Sequence, residues 1–237
     1  MESVIRINKF LSQAGVCSRR AADALIEAGA VSLNGRAAVP GELVSPGDRV
    51  EVNSRPIVIQ PDAPRVYLAF HKPAGIVTTA AADDRNNIID YIDYPTRIYP
   101  VGRLDQASRG LIFLTNDGDF AYRMAKADDA AQKEYWVRVD GPVTPDFIRR
   151  MAGGVEILGK KTNPCPVDKL SSNRFRIILN QGMNRQIRRM CEACGRRVVD
   201  LLRVRINTVR LADLKAGAWR DLSPAEVQAL MQLKTAP

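Results

Sequence analysis

Three prolines between Ser54 and Pro64 divide this chain of 237 residues into two unequal parts. Proline fixes its own backbone angle and lacks an amide donor, so this spacing favours a semi-rigid linker over a helix or a central strand. A chain of this length forms either one large domain or two smaller ones. We therefore predict a small domain over residues 1–60 and a larger domain over residues 65–237.

The first part predicts two short helices followed by a small hairpin. Apolar residues recur at helical spacing over residues 6–14, and Ser18 is a suitable N-cap for a second helix. Arg19 and Arg20 fall in the first turn of that helix, where the helix dipole disfavours cations, so an anionic partner would explain their placement. The dipeptide Asn34-Gly35 then gives a strong hairpin signal.

The positive charge of the chain is concentrated in one segment. The formal net charge is +9, which indicates a polyanionic partner. Residues 171–210 contain ten arginines and no lysine against Glu192 and Asp200, so this segment accounts for nearly all of the excess. The forked guanidinium binds phosphate or carboxylate in a defined geometry, so we expect specific contacts here. A solvated basic face is the alternative, although such a face would more naturally include lysine.

The larger part predicts many strands with a few interspersed helices. It contains no repeating βαβ unit and no nucleotide-binding glycine motif, so we predict an α+β fold with a mixed or mostly antiparallel sheet. The predicted strands are residues 66–70, 98–101, 111–115, 133–139, 175–179 and 201–206, and the predicted helices are residues 88–92, 120–126, 144–151, 184–194 and 223–233.

One loop of the larger part holds an isolated acid between two arginines. Arg103, Asp105 and Arg109 lie with Gly102 and Gly110 between two predicted strands. Glycine allows a loop to adopt backbone angles that other residues avoid, and nearby cations favour the charged form of a carboxyl group. This loop alone fits an ordinary surface salt bridge as well as a catalytic carboxylate. A catalytic interpretation therefore depends on the rest of the chain.

The cysteines and the single histidine give no strong site. Cys191 and Cys194 form one CxxC spacing, but the sequence has no second such pair, and His71 is its only histidine. Helical spacing places both cysteines on an apolar face, so we predict structural thiols, no metal site and no cofactor. The apolar runs are far shorter than the roughly 20 residues that span a bilayer. The N-terminus also lacks the apolar region of a signal peptide, so we expect a cytoplasmic protein that does not enter a membrane.

Residues spread over the whole first part match a known pattern. They are Ile7–Leu11, Gly15, Cys17–Ala22, Leu25–Ile26, Gly29, Val31, Leu33–Gly35 and Gly47–Asp48. Together they resemble the S4 family, a small αL-type RNA-binding domain. The resemblance implies that the helix pair lays a basic face on structured RNA through Arg6, Lys9, Arg19 and Arg20. Residues 1–60 contain seven basic and six acidic residues, so binding would depend on this local patch.

Separated segments of the larger part match a second family. They are Lys72–Gly75, Gly102–Asp105, Gly110–Gly118, Lys133–Tyr135 and Gly182–Met190. Together they resemble the RNA pseudouridine synthases, and the S4-like part in front narrows this to the branch that modifies ribosomal RNA. The resemblance implies isomerisation of uridine in 23S rRNA or its assembly intermediates, with the anticodon region of tyrosine tRNA as a further substrate. We expect the protein to act as a monomer.

The same resemblance implies roles for individual residues. Asp105 would be the nucleophile, Tyr135 would stack on the released uracil, and Arg188 would pair with Asp105. Arg103 would fill the space that a flipped base leaves, which matters because extrusion of a base costs a few kcal/mol. The other residues implied to contact RNA are Leu104, Gln106, Arg185, Gln186 and Ile187.

Two other functions fit parts of the sequence. A non-catalytic S4-type RNA-binding or ribosome-assembly factor would explain the charge and the first part, but not the order of the three catalytic residues. A glycosidase-type hydrolase would also attack a glycosidic bond, but it usually needs a second carboxylate. Glu134 and Asp117 are the nearest candidates, and neither has a matching context. Tritium release from C5-labelled uridine tests the first alternative, and free uracil as a product would favour the second.

Overall fold

The computed structural model describes residues 4–59, 64–80, 86–126 and 131–233. Its contacts divide the chain into one compact unit that ends at Arg65 and a second that begins at Val66. The linker prediction over residues 54–64 was wrong for residues 55–57, which form a strand. Proline is tolerated there because this strand lies at an edge of its sheet. Residues 60–63 of the predicted linker lie outside the described part.

The first unit packs two helices on short antiparallel strands. Its elements are β1 (Ile5–Arg6), α1 (Ile7–Gln13), α2 (Arg19–Glu27), β2 (Val31–Leu33), β3 (Arg36–Ala37), β4 (Leu43–Val44), β5 (Val50–Val52) and β6 (Arg55–Ile57). Strand β1 pairs with β4, and the order of the other sheet is β3-β2-β5-β6. The predicted N-cap is confirmed, since Ser18 Oγ accepts a hydrogen bond from the Ala21 amide at 3.2 Å. The predicted hairpin at Asn34-Gly35 joins β2 and β3.

The second unit contains the remaining elements. They are β7 (Tyr67–Lys72), α3 (Ile88–Ile92), β8 (Tyr99–Val101), β9 (Arg109–Thr115), α4 (Gly118–Lys126), β10 (Lys133–Val139), α5 (Pro145–Ala152), β11 (Glu156–Ile157), β12 (Lys160–Lys161), β13 (Val167–Ser171), β14 (Arg174–Leu179), α6 (Gln186–Ala193), β15 (Val198–Ile206), β16 (Val209–Arg210), β17 (Trp219–Asp221) and α7 (Pro224–Met231). Across the described ranges, no helix combines the length and the apolar character that crossing a membrane requires.

A nine-stranded mixed sheet organises the second unit. Its order is β13-β14-β10-β15-β9-β7-β17, with β16 beside β15 and β8 beside β9. Among the described strands of this sheet, β9 and β15 form the one parallel pair. The prediction of an α+β fold with a mixed, mostly antiparallel sheet is therefore confirmed. The β9–β15 pair brings the loop before β9 next to residues almost 100 positions later in the chain.

Two apolar cores lie on opposite faces of this sheet. In β9, Ile112 and Leu114 point into the core that also contains Phe147 of α5 and Ile187 of α6. Phe113, which lies between them, points into the core that contains residues of α4 and α7. Helices α5 and α6 therefore cover one face, and α4 and α7 cover part of the other.

Candidate active site

Asp105 lies in the loop between β8 and β9, and local hydrogen bonds shape that loop. The Ser108 amide donates to the Asp105 carbonyl at 3.0 Å, which closes a tight turn. One residue earlier, Thr78 Oγ1 donates to the Leu104 carbonyl at 2.8 Å and accepts from the Leu104 amide at 3.3 Å. Gly102 adopts a φ of 73°, in the left-handed region that favours glycine. The loop therefore presents the carboxylate from a fixed backbone.

Lys72 supports this loop from inside the protein. Its side chain is fully buried, and Nζ donates to three backbone carbonyls at 2.6–3.3 Å, one of them that of Gln106. Burial lowers the pKa of Lys72 to about 8, and the nearby Asp105 charge opposes that shift. The burial of Lys72 and its three carbonyl partners indicate a structural role.

Two arginines from the segment before and inside α6 approach Asp105. Arg188 Nε lies 3.7 Å and Arg185 Nη1 lies 3.8 Å from Asp105 Oδ2. The Arg188 side chain is 11% exposed, and its Nη2 donates to the Ala107 carbonyl at 3.3 Å and to Ser108 Oγ at 3.1 Å. The Arg185 side chain is 47% exposed. Arg188 is therefore held in the loop that carries Asp105, whereas Arg185 reaches the same carboxylate from solvent.

Helix α6 begins later than the sequence predicts. Arg185 has a φ of 50°, so the predicted helix over residues 184–194 is reduced to Gln186–Ala193. The Gln186 side chain accepts a hydrogen bond from the Met183 amide at 3.0 Å and stabilises the turn that precedes the helix. This left-handed residue directs the chain toward Asp105 just before the helix starts.

Arg109, the second arginine of the loop, has a different partner. Its Nε and Nη2 donate to the two carboxylate oxygens of Asp200 at 2.8 and 2.7 Å. Next to it, a Cβ at Gly110 would lie 2.3 Å from the Arg203 carbonyl oxygen, so only glycine permits the close approach of β9 and β15. Arg109 therefore connects these two strands and leaves Asp105 to arginines from a distant segment.

A cavity of about 300 Å³ lies beside Asp105. Asp105 is the only acidic residue among the described residues that line it. The exposed Arg103 and the 9% exposed Tyr135 contribute to its lining. The other residues predicted from the sequence that line it are Leu104, Arg185, Gln186, Ile187 and Arg188.

The residues predicted to contact RNA differ in accessibility. Leu104, Gln186 and Ile187 are 7%, 4% and 4% exposed, so they form the cavity wall and present no exposed surface to RNA. Gln106 is exposed outside the lining, and its Nε2 donates to the Gly75 carbonyl at 3.1 Å. In the first unit, Arg6, Arg19 and Arg20 are exposed, and Lys9 is half-buried.

Sequence reasoning missed Arg203 as a residue of the cavity. Arg203 is 4% exposed and lines the cavity, and its Nε donates to the Leu111 carbonyl at 2.6 Å. Alternate residues of a strand share a face, so the apolar Leu201 two positions earlier was a usable signal. The high arginine content of this segment obscured that signal.

Neither candidate for the second carboxylate of a hydrolase faces the cavity, because each one has other hydrogen-bond or ion-pair partners. Glu134 is 8% exposed and pairs with Arg205 Nε at 3.0 Å. Asp117 accepts hydrogen bonds from the Asp119 and Phe120 amides at 2.9 and 3.1 Å, at the start of α4. Neither residue lines the cavity. The site therefore has the composition of a single-carboxylate centre.

Cys191 and Cys194 lie in the apolar core, on the helix face that their spacing predicts. Cys191 and Cys194 are 0% and 8% exposed, and burial raises the pKa of both thiols, which disfavours the thiolate form that binds metals. Within the described ranges, no group of three or more histidine, cysteine or acidic residues is placed to hold a metal ion.

The fold and the site together define a class of enzyme. One carboxylate, with arginines beside it, faces a cavity large enough for a nucleobase, and a separate helix pair carries exposed arginines. The family model described as RNA pseudouridylate synthase matches residues 66–193, and the S4 domain model matches residues 5–50. The chain belongs to the RNA pseudouridine synthase family and carries an N-terminal S4 domain. It is an isomerase that converts uridine in RNA to pseudouridine.

Relatives over nearly the whole chain support this assignment. The dual-specificity RNA pseudouridine synthase RluF of Escherichia coli K12 is 47% identical over 232 residues, which are 98% of this chain and 80% of the relative. The ribosomal large subunit pseudouridine synthase B of Bacillus subtilis is 34% identical, over 96% of each chain. A crystal structure of a pseudouridylate synthase matches with a TM-score of 0.69 and 28% identity, over 95% of this chain and 99% of that one.

Proposed function

We propose that Asp105 is the nucleophile of this isomerase. The observation that carries the proposal is that Asp105 is the only acidic residue among the described residues lining the cavity, with Arg188 held 3.7 Å away. A carboxylate can form a covalent intermediate with its substrate. As a carboxylate oxygen of Asp105 bonds to C1′ of the ribose, the N1–C1′ glycosidic bond breaks and the uracil leaves as an anion that is free to turn. C5 then bonds to C1′ while the Asp105 oxygen leaves, and loss of the C5 proton, with protonation of N1, completes the isomerisation.

Tyr135, Arg103 and Arg188 have supporting roles in this proposal. A uridine inside folded RNA must leave its stack before its glycosidic bond can be reached. The exposed Arg103 fills the space left by the flipped base, and Tyr135 supplies a flat surface against which the released uracil turns. The tyrosine hydroxyl assists removal of the C5 proton. Arg188 holds the nucleophile charged and in place through electrostatic attraction, since an opposite charge within about 4–6 Å favours the ionised carboxylate.

The proposed substrates are 23S rRNA and the anticodon region of tyrosine tRNA. A relative 47% identical to this chain is named a dual-specificity RNA pseudouridine synthase, and another is named for the large ribosomal subunit. The S4 domain supplies further RNA contacts. The residues proposed for contacts on the RNA surface are Arg6, Lys9, Arg19 and Arg20 in the S4 domain and Gln106 and Arg185 near the cavity. The buried Leu104, Gln186 and Ile187 are proposed to contact only the flipped nucleotide, as part of the cavity wall. The enzyme acts in the cytoplasm as a monomer.

Replacement of the nucleophile tests the mechanism. Asp105→Ala and Asp105→Asn should lower tritium release from C5-labelled uridine in 23S rRNA on the order of a thousandfold or more, because no covalent intermediate can form. Thermal unfolding and RNA affinity should stay close to those of the parent protein. Asp146→Asn is the control, since Asp146 is exposed on α5 and outside the cavity lining. Substantial tritium release by Asp105→Ala would contradict the assignment.

Mapping of pseudouridines tests the substrates. Cells that lack this protein should lose a pseudouridine in 23S rRNA and one in the anticodon region of tyrosine tRNA. Both should return when the parent gene is supplied, and neither should return with Asp105→Ala. Maps that are unchanged in 23S rRNA would contradict the proposed main substrate.

A further inference from the structure

An exposed aromatic ring stands on the sheet face opposite the α5 and α6 core. Trp136 in β10 is 49% exposed, whereas its neighbours Tyr135 and Val137 are buried on the other face. The strand register places Trp136 between Arg176 of β14 and Leu202 of β15. A groove of about 460 Å³ runs beside the ring, and no described helix contributes to its lining. This part of the sheet therefore has an open surface with a flat apolar platform.

Two arginines face each other across the strands next to this ring. Arg138 lies opposite Arg174 of β14 on one side and opposite Asp200 of β15 on the other. Asp200 already receives both hydrogen bonds from Arg109. In the part of the chain that the structure describes, neither Arg138 nor Arg174 forms a salt bridge of its own. Like charges directly opposite in a sheet are destabilising, so this pair favours an anionic ligand.

We propose that an unpaired stretch of the RNA substrate binds outside the catalytic cavity. It binds to a surface formed by Trp136, Arg138 and Arg174, here called the outer face. A base stacks on the indole of Trp136, and the flanking phosphates bind the two guanidinium groups. Aromatic platforms beside arginines are the means by which proteins hold single-stranded RNA. This inference rests on RNA being the substrate, but not on the role of Asp105.

The outer face contacts nucleotides other than the target uridine. The groove and the catalytic cavity share no lining residue. The other two arginines at this face are already neutralised, because Arg109 pairs with Asp200 and Arg176 pairs with Asp168. Arg109, Arg138 and Arg174 share the single negative charge of Asp200, so two positive charges remain at this face, which is enough to neutralise two phosphates.

The salt dependence of RNA binding tests the charged part of the outer face. For single strands, log K falls with log salt with a slope of about −0.7 for each phosphate that the protein neutralises. The slope for a 23S rRNA fragment should therefore be less steep by about 1.4 in the double variant Arg138→Gln/Arg174→Gln. Arg149→Gln is the control, because Arg149 is exposed on α5 and already pairs with Asp146, so its replacement should leave the slope unchanged. An unchanged slope in the double variant would overturn the proposal.

Tryptophan fluorescence tests the stacking part. The chain has two tryptophans, so Trp219→Phe leaves Trp136 as the only emitting indole. Addition of the 23S rRNA fragment should quench its emission, and Trp136→Ala should weaken binding by roughly 5- to 150-fold, the range for one stacked base. Turnover at saturating RNA should not change. The proposal would be overturned if RNA bound without quenching Trp136, or if Trp136→Ala bound RNA with unchanged affinity. The outer face would then be assigned to binding of a protein partner.

The two proposals can fail separately. In the Trp219→Phe background, Asp105→Ala should still show quenching of Trp136, because the outer face lies outside the cavity. Loss of turnover with intact quenching would support both assignments. Intact turnover in Asp105→Ala with intact quenching would overturn the nucleophile and leave the outer face supported.

Discussion

The arginines of the two units differ in how they are held. In the catalytic unit, the Arg188 side chain is 11% exposed and donates two hydrogen bonds to the loop that carries Asp105. In the S4 domain, Arg19 and Arg20 are exposed in the first turn of α2. A partly buried charge with fixed partners maintains one geometry, whereas exposed charges provide attraction that water and salt weaken. The comparison predicts that the first kind controls turnover and the second kind controls RNA capture.

Among changes to these two kinds of arginine, the largest expected effect comes from loss of the fixed arginine. Arg188→Ala should lower the rate of a single turnover about a hundredfold, since loss of the partner of a partly buried acid costs on the order of 3 kcal/mol. Arg185→Ala is the matched comparison, because Arg185 lies at a similar distance from Asp105 but is 47% exposed. It should change the rate less than about tenfold. Arg188→Ala activity within about threefold of the parent would contradict a catalytic role for this pair.

The sequence supported the components of this site better than their arrangement. The strand at residues 133–139 has the predicted bounds because its side chains alternate clearly. The helix at residues 88–92 also has the predicted bounds, although five residues give only a short pattern. Asp105, Tyr135 and Arg188 followed from family resemblance. The burial of Arg203 and the support from Lys72 could not be predicted in the same way. Both depend on the parallel pairing of β9 with β15 and on loop hydrogen bonds, which local periodicity does not encode.

Short elements were also difficult to predict. Strands β1, β4, β11, β12 and β16 have two residues each, which is too few for a periodic pattern. Strand β6 contains a proline and depends on pairing with β5 rather than on its own propensity. The left-handed residue before α6 is an arginine, so no glycine marked the true start of that helix.

The buried Lys72 gives the next effect, which concerns stability. Burial lowers the folded-state pKa of Lys72 from 10.5 to about 8, so between these values the unfolded chain binds more protons than the folded one. The free energy of unfolding should therefore rise with pH across this window, by about 1.5 kcal/mol between pH 8 and 9.5. Lys72→Met should remove that rise. Urea unfolding of both proteins at several pH values measures the difference.

The matched control for this measurement is Lys160→Met. Lys160 is exposed at the β11–β12 hairpin, so its replacement should leave the pH dependence of the parent unchanged. If Lys72→Met and the parent protein gained stability equally between pH 8 and 9.5, the buried amine would not be the group that titrates.

A smaller effect is expected from the exposed arginines of the S4 domain. Arg19→Ala/Arg20→Ala should weaken binding of the 23S rRNA fragment roughly tenfold at low salt, and the fall of log K with log salt should be less steep by about one to two units. Turnover at saturating RNA should not change. Arg36→Ala is the control within the same unit, since Arg36 is also exposed but pairs with Glu42. If turnover of Arg19→Ala/Arg20→Ala stayed low at saturating RNA, these arginines would act in the reaction itself and not only in RNA binding.

The smallest expected effect compares one helix cap from each unit. Ser18 caps α2 and Ser223 caps α7, and in both helices the serine Oγ accepts a backbone hydrogen bond at 3.2 Å. Either serine changed to alanine should cost about 1 kcal/mol of local stability. Native-state hydrogen exchange should show faster exchange in α2 only for Ser18→Ala and in α7 only for Ser223→Ala. Because Arg19 and Arg20 occupy the first turn of α2, Ser18→Ala should also weaken RNA binding slightly, whereas Ser223→Ala should not. Equal changes in RNA affinity would show that the order of α2 does not position its arginines, and exposed charge alone would then account for capture.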